Sequence, residues 1–218
     1  MGGLLSAAPA SRGARRALLV AALAAPLALG ALFAHVDSEG LSAGRSAEAS
    51  VSVQMTLDEL VVGSQRVVIA TALDRSSRWE ELPTGRRIVT YTRLSVDETI
   101  DGAAGAEVTV RTYGGVVDNI GQQVSGEAML KIGERALVFL ADVGEGDVRA
   151  TVVTGMAQGH YPLDESSGEP VLKASPDRGT LVNRRGPSVP AAIVLVGAKL
   201  PDVRAKIADS VSRMRGSR

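Results

Sequence analysis

The side chains able to do acid–base or nucleophilic work are few. The chain has no cysteine and two histidines, His35 and His160. Thiolate nucleophiles, disulfides and thiolate metal sites are therefore excluded, and a zinc centre, which needs three or four N, S or O ligands, is short of donors. His35 follows directly on an apolar run, which leaves His160 as the histidine of the folded part. A hydrolase built on His160 is the alternative to a protein without catalysis. However, Gly159-His160-Tyr161 reads as strand, and no Gly-x-Ser-x-Gly or other nucleophile turn accompanies it. The expectation is a surface or hairpin histidine with no catalytic task.

Three acidic groups, Glu80-Glu81, Asp97-Glu98 with Asp101, and Asp142 with Glu145 and Asp147, lack the ligand spacing of an EF-hand loop and fall where turns are expected. Glu80 and Glu81 cannot serve as a glycosidase pair either, since neighbours in a strand point to opposite faces. No catalytic residue, cofactor or metal site is expected. Recognition is the better prospect. Arg75 and Arg78, with Arg86 and Arg87, gather around Trp79 in what reads as a loop, and Arg beside Trp is a common composition for a binding surface. The competing reading pins Trp79 against the body of the fold. The glycine-rich segment Gly114 to Gly126 matches neither the dinucleotide fingerprint nor the phosphate loop. It reads as a mobile connection with a β-turn, and as a place for a peptide to lie.

These residues must be positioned mainly by strands. Arg66 to Ala72 is rich in β-branched residues, Arg86 to Val96 alternates, and Glu107 to Tyr113 sets Val108, Val110 and Thr112 against a wet face of Glu107, Thr109, Arg111 and Tyr113. Arg135 to Ala141 lacks alternation and predicts a central strand covered on both sides. It continues through the turn Gly144-Glu145-Gly146 into a hairpin with Asp147 to Thr154. Shorter pieces follow at Gln158 to Leu163 and Pro170 to Ala174. Closely spaced Gly and Asp-Gly turns read as a small barrel or sandwich, and no helix-length segment between strands suggests βαβ units.

Two helices flank the strands. Thr56-Leu57-Asp58-Glu59 has capping-box spacing and starts a helix of about two turns that ends at Gly63. Pro201 and Asp202 open a final helix whose stripe is Val203, Ile207, Val211 and Met214, with Asp202/Lys206 and Asp209/Arg213 spaced to pair at i,i+4. That stripe is expected to pack on the strands.

The chain has 218 residues and 24 basic side chains against 24 acidic ones. The first 34 residues carry Arg12, Arg15 and Arg16 and no acid, so the remainder holds 21 bases and 24 acids. A mildly acidic body with few aromatics has no electrostatic reason to bind nucleic acid or anionic membrane. Arg12 to Arg16 followed by the uncharged run Ala17 to Ala34 has the layout of an export signal, too short and too interrupted by Pro26 to favour a permanent span. Cleavage after about Ala31, Ala34 or Ala43 would release a secreted or periplasmic protein. An uncleaved N-terminal helix, which would tether it to the membrane, is the alternative. The preference for Arg over Lys reads as a GC-rich, bacterial coding bias.

Val67 to Ala72, Trp79, Ile88 to Val96, Gly114-Gly115, Gly133-Glu134-Arg135 leading into Val138-Phe139-Leu140, and Gly155-Met156-Ala157-Gln158-Gly159 together resemble a group of uncharacterised exported bacterial proteins, over about residues 57 to 174. More distantly, the strand with Val67 to Ala70, the Gly-Glu turn and the strand Ala136 to Leu140 are similar in arrangement to netrin-like and metalloproteinase-inhibitor modules, which are OB-type barrels. The resemblance implies a fold and a habit of binding proteins. The inhibitors' chelation of a protease zinc through an N-terminal cysteine does not transfer to a chain without cysteine.

The resulting expectation is a mainly β protein, a small antiparallel OB-like barrel with a short N-terminal helix and a C-terminal amphipathic helix. Its parts are a signal peptide (1–34), a flexible tether (35–55), the barrel domain (56–175), a linker (176–190), and a short strand with the C-terminal helix (191–218). Its expected role is that of an exported, non-catalytic binding or accessory module for a protein or peptide, with Trp79, Arg75 and Arg78 as candidate contact residues.

Overall fold

The computed structural model describes residues 51–145, 148–166 and 168–216. The expected export signal and most of the expected tether lie outside them. After β1 (Val51–Val53) comes helix α1 (Leu57–Val62). Its capping box is complete: Glu59 N donates to Thr56 Oγ1 at 3.2 Å and Thr56 N donates to Glu59 Oε2 at 2.9 Å.

Strands β2 (Arg66–Leu82) and β3 (Gly85–Gly102) form one long hairpin, followed by β4 (Glu107–Tyr113). A small hairpin of β5 (Gly115–Val117) and β6 (Ile120–Gln122) occupies the segment expected to be a mobile connection. Then come β7 (Arg135–Glu145), β8 (Val148–Val153), a 3-10 turn at Met156–Gly159, β9 (His160–Asp164) and β10 (Val171–Leu172). Strand β11 (Thr180–Val182), inside the stretch expected to be a linker, pairs in parallel with β1, inside the expected tether. The chain closes with α2 (Ala191–Leu195) and α3 (Leu200–Arg215).

Five strands pair in a ring. β7 pairs with β2, β2 with β3, β3 with β4, β4 with β8, and β8 with β7 again. β9 and β10 extend the sheet from β7. The expectation of a purely antiparallel sheet is corrected: β4 and β8 meet in parallel at Val110 and Thr151, so the sheet is mixed. Because β8 runs back antiparallel to β7, it reaches the far side of β4 running in β4's own direction.

Apolar residues divide between two cores according to strand face, since successive side chains point to opposite sides. Val68, Ala70, Ala72, Leu94, Val110, Ala136, Val138, Leu140 and Val153 gather on the side enclosed by the ring. Val67, Ile69, Leu137 and Phe139 face the other way and pack with Leu60, Val61, Leu195, Val203 and Ile207 of the three helices. β2 and β7 therefore carry unbroken apolar runs because both of their faces are covered.

Helix α3 buries Val203 and Ile207 fully, as its stripe predicts. Its charges pair elsewhere than expected: Arg213 reaches Asp58 of α1 at 2.7 Å, and Lys206 donates to the Val194 carbonyl at 3.1 Å. Arg215 donates to the carbonyls of Val61 and Ser64, satisfying acceptors at the end of α1. The short strand expected within 191–218, ahead of the C-terminal helix, is corrected to α2. Its apolar run has Pro190 at the N-cap and buries Ala191 and Leu195 one turn apart, a helical spacing.

Candidate functional site

Above the ring, the inward face of the β2–β3–β4 sheet changes character. Along β3 the inward residues run Leu94, Thr92, Thr90 and Ile88, and opposite them β4 contributes Val108, Val110 and Thr112 while β2 contributes Arg75 and Ser77. The apolar floor thus gives way to hydroxyls. Ser77 and Thr90 are hydrogen-bonded to each other at 2.8 Å, and Thr90 Oγ1 donates to the Gly114 carbonyl at 2.6 Å.

The chain between β4 and β7 folds over this floor. Gly114 and Gly115 have φ of 92° and 130°, a region that favours glycine. At Gly115 a Cβ would overlap both Thr90 Oγ1 and Ser77 Oγ, so the backbone comes this close because it carries no side chain. Gln122 Oε1 accepts from Ile88 N at 2.7 Å and ties β6 to β3. Ala128 and Leu130 drop into the enclosed core. Between floor and cover lies a cleft of about 740 Å³, a size typical of ligand sites.

The cleft carries charge of both signs. Glu127 is 9% exposed, and its oxygens accept from the backbone N–H of Tyr113 and of Ala128, each at 3.2 Å. Burial pushes its carboxyl above the usual range, against the pull of those hydrogen bonds and of Arg111. Asp177 Oδ1 accepts from Gly179 N at 2.9 Å and Gly126 N at 3.3 Å. Arg75 and Lys131 supply positive charge to the lining.

The outward face of the same hairpin holds a second polar cluster. Glu80 accepts from the Tyr91 hydroxyl at 2.6 Å, from Arg78 Nε at 3.0 Å and from Arg111 Nε at 3.1 Å. Burial works against ionisation of Glu80, but these three donors hold its carboxyl below the usual range. Arg78 lies 4.4 Å over the Tyr91 ring and Arg111 lies 4.9 Å over that of Tyr113. The wet face expected for β4 is corrected here, because Arg111 is 3% exposed. Its ion pair with Glu80 is what permits that burial.

The three residues singled out from the sequence are separated by this geometry. Trp79 sits in β2 opposite Ile88, so the expected Trp79 loop is corrected to strand. The stretch Leu73 to Glu81 is polar on both sides and shows no strand period, yet pairing with β3 holds it extended. Arg75 and Trp79 share the inward face, whereas Arg78 belongs to the outward cluster. Trp79 is half-buried with the Arg86 guanidinium 4.7 Å over its ring. The alternation of Thr90, Thr92 and Thr112 was a readable signal of the cleft floor. Glu127 and Lys131, beside turns, gave none.

His160 is corrected from a surface position to a buried one, 1% exposed. Its Nδ1 lies 3.1 Å from Ser175 Oγ, and its Nε2 lies 3.8 Å from Glu134 Oε1, too far for a hydrogen bond. Burial, with Lys131 nearby, lowers its pKa to about 4, so it is neutral at pH 7. Ser175 is 4% exposed, and neither the large cleft nor a second cavity of about 380 Å³ beside Leu57, Val194 and Lys206 reaches this group. Among the described residues no three His, Asp or Glu side chains gather as a metal site, and no helix is long and apolar enough to cross a membrane.

No family model, curated protein or solved structure matches the chain.

Proposed function

We propose that the protein is an exported, non-catalytic binding or accessory module, built on an OB-type barrel, that takes up a protein or peptide segment in the cleft over the β2–β3–β4 sheet. The observation that carries this reading is the cleft itself: a hydroxyl-lined floor beside a strand, β2, that pairs with no second strand from Leu73 to Leu82 among the described residues. Polypeptide backbone is the ligand whose donors and acceptors suit both features.

The OB-type reading is supported by the ring of pairings with β4 and β8 parallel, the arrangement of a five-stranded Greek-key barrel. Ala128 and Leu130 would plug one end of that barrel. The basic cluster before Ala17 to Ala34 supports export. The acidic balance of the remaining chain argues for a polypeptide ligand over nucleic acid, and contact with membrane is left to an uncleaved N-terminal segment.

Selection of binders from a random peptide library on the purified chain, followed by hydrogen-exchange mapping, tests the proposal. Enriched peptides that protect residues 75–82 and 122–131 support it. A library that yields no binder rejects it. The alternative reading is a hydrolase using His160 as general base; it rests on Ser175 Oγ 3.1 Å from Nδ1, a buried pair that neither cavity reaches. Turnover in a panel of ester and peptide substrates that disappears in His160→Ala would establish that reading instead.

A further inference from the structure

The hydrogen-bond directions along β2 define what its open side offers. In an antiparallel ladder the N–H and C=O of one residue point to the same side, and the sides alternate along the strand. Val96 N donates to Ala106 O, and Ile88 O accepts from Gly114 N, so Ile88, Thr90, Thr92, Leu94 and Val96 of β3 turn their backbone groups toward β4. The intervening Arg87, Val89, Tyr91 and Arg93 therefore turn toward β2, where they face Glu80, Arg78, Ser76 and Asp74. This leaves Arg75, Ser77, Trp79 and Glu81 with both backbone groups directed away from β3. At Ala72 the same outward direction is used, by bonds to Glu134 O and from Gly133 N, but β7 accompanies β2 no further.

The side chains of Arg75, Ser77 and Trp79 point to the inward face, so the open edge and the cleft are served by the same residues. Two acids and two bases line the cleft, and the bases are the side chains left to engage a ligand. Glu127 and Asp177 are already engaged by backbone N–H groups. The side chains of Arg75 and Lys131 make no hydrogen bond or ion pair among the described residues, although Lys131 lies near enough to Glu134 and His160 to act on both through its charge. Met129 and Val116, 44% and 65% exposed, give the cleft an apolar lip. An inward Arg75 and the irregularity between Ala72 and Asp74 also discourage indiscriminate pairing of strands at this edge.

We propose that the open edge of β2 from Arg75 to Glu81 takes up an extended, acidic segment of a partner polypeptide as an added strand, with a carboxylate of that segment held by Arg75 at the cleft. This rests on the reading of the cleft as a polypeptide site and specifies how that site works. The backbone of the edge supplies the hydrogen bonds, and Arg75, assisted by Lys131, selects for acid.

Fluorescence anisotropy on the full chain tests this with three labelled peptides: Thr-Val-Thr-Glu-Thr-Val-Thr, its counterpart with Gln at the centre, and the Glu peptide N-methylated at alternate residues. The Glu peptide is expected to bind roughly tenfold or more tightly than either of the others, and Arg75→Glu to remove the preference for Glu over Gln. Ser77→Pro deletes an edge N–H without removing a bond to β3, and is expected to weaken binding by roughly tenfold. Equal binding of the N-methylated peptide, equal binding by folded Ser77→Pro, no preference for Glu, or no binding of the Glu peptide would overturn the inference. So would a dimer of the chain that disappears in Ser77→Pro, which would assign the edge to a second copy. The N-methylated peptide keeps the test decisive if Ser77→Pro does not fold. Library-selected peptides that bind regardless of Ser77→Pro would sink this inference alone, whereas the absence of any binder would sink the wider reading.

Discussion

At the scale of single residues, His160 links burial to pH. A histidine whose pKa falls from 6.5 to about 4 on folding takes up protons more readily when unfolded. Its contribution is therefore complete above pH 6.5 and is lost as pH falls toward 4, amounting to about 3 kcal/mol. Glu127 acts in the opposite sense. Its raised carboxyl pKa favours the folded state at low pH, and that contribution is lost as pH rises above the usual glutamate value. Comparing the parent with His160→Gln isolates the histidine. Urea unfolding between pH 7.5 and pH 4.5 should show the parent losing stability relative to the variant, and parallel pH profiles would contradict the assignment. Trp79 poses a different question. It is half-buried under Arg86, a contact worth about 0.5–1 kcal/mol. Trp79→Ala should move the thermal midpoint by only a few degrees while weakening peptide binding, and a large fall in that midpoint would place Trp79 in the core.

At the scale of elements, the cleft depends on how closely the β5–β6 hairpin settles on the sheet. Gly115 is the point of closest approach, with a positive φ and with Thr90 and Ser77 where a Cβ would go. Gly115→Ala should cost about 2–4 kcal/mol, combining an unfavourable backbone conformation with overpacking. The loss should appear in urea unfolding, together with faster hydrogen exchange over 115–122. A neutral substitution would mean that the hairpin does not lie on the floor as described. Helix α1 shows the opposite balance between local and long-range control. Its start is marked by the local capping box of Thr56 and Glu59, while its far end is satisfied by Arg215, more than 150 positions away.

At the scale of the whole molecule, the strands separate two apolar layers, and only one is enclosed by the ring. The other, formed by Val67, Ile69, Leu137 and Phe139, is covered by α1, α2 and α3. A chain ending at Gly197 would expose much of that layer, since Val203 and Ile207 are fully buried against it. Each such side chain stabilises the fold by about 1.5–3 kcal/mol, a large share of the ordinary stability of a domain. The truncated chain should bind a hydrophobic dye strongly or aggregate. A soluble, cooperatively unfolding product would show that the strands hold together without α3.

Much of this arrangement is carried by local pattern. The capping box at Thr56, the alternation from Glu107 to Tyr113, the doubly apolar run from Ala136 to Leu140 and the stripe of α3 each follow from the spacing of neighbouring residues, because hydrogen-bond geometry within a helix or along a strand repeats with a fixed period. Leu73 to Leu82 has no such period, and its extended form comes from β3 alone. The burial of Arg111 depends on Glu80, and that of His160 on the distant residues beside its ring, Ser175 and Glu134, which no reading of Gly159-His160-Tyr161 contains. The run from Ala192 to Val196 is too short for its period to distinguish helix from strand, so packing against α1 and α3 decides it. The cleft is the furthest from local control. It exists because a polar stretch of β2 outruns β7 and because two glycines let a distant segment fold across Ser77 and Thr90, contacts between residues that lie tens of positions apart in the chain.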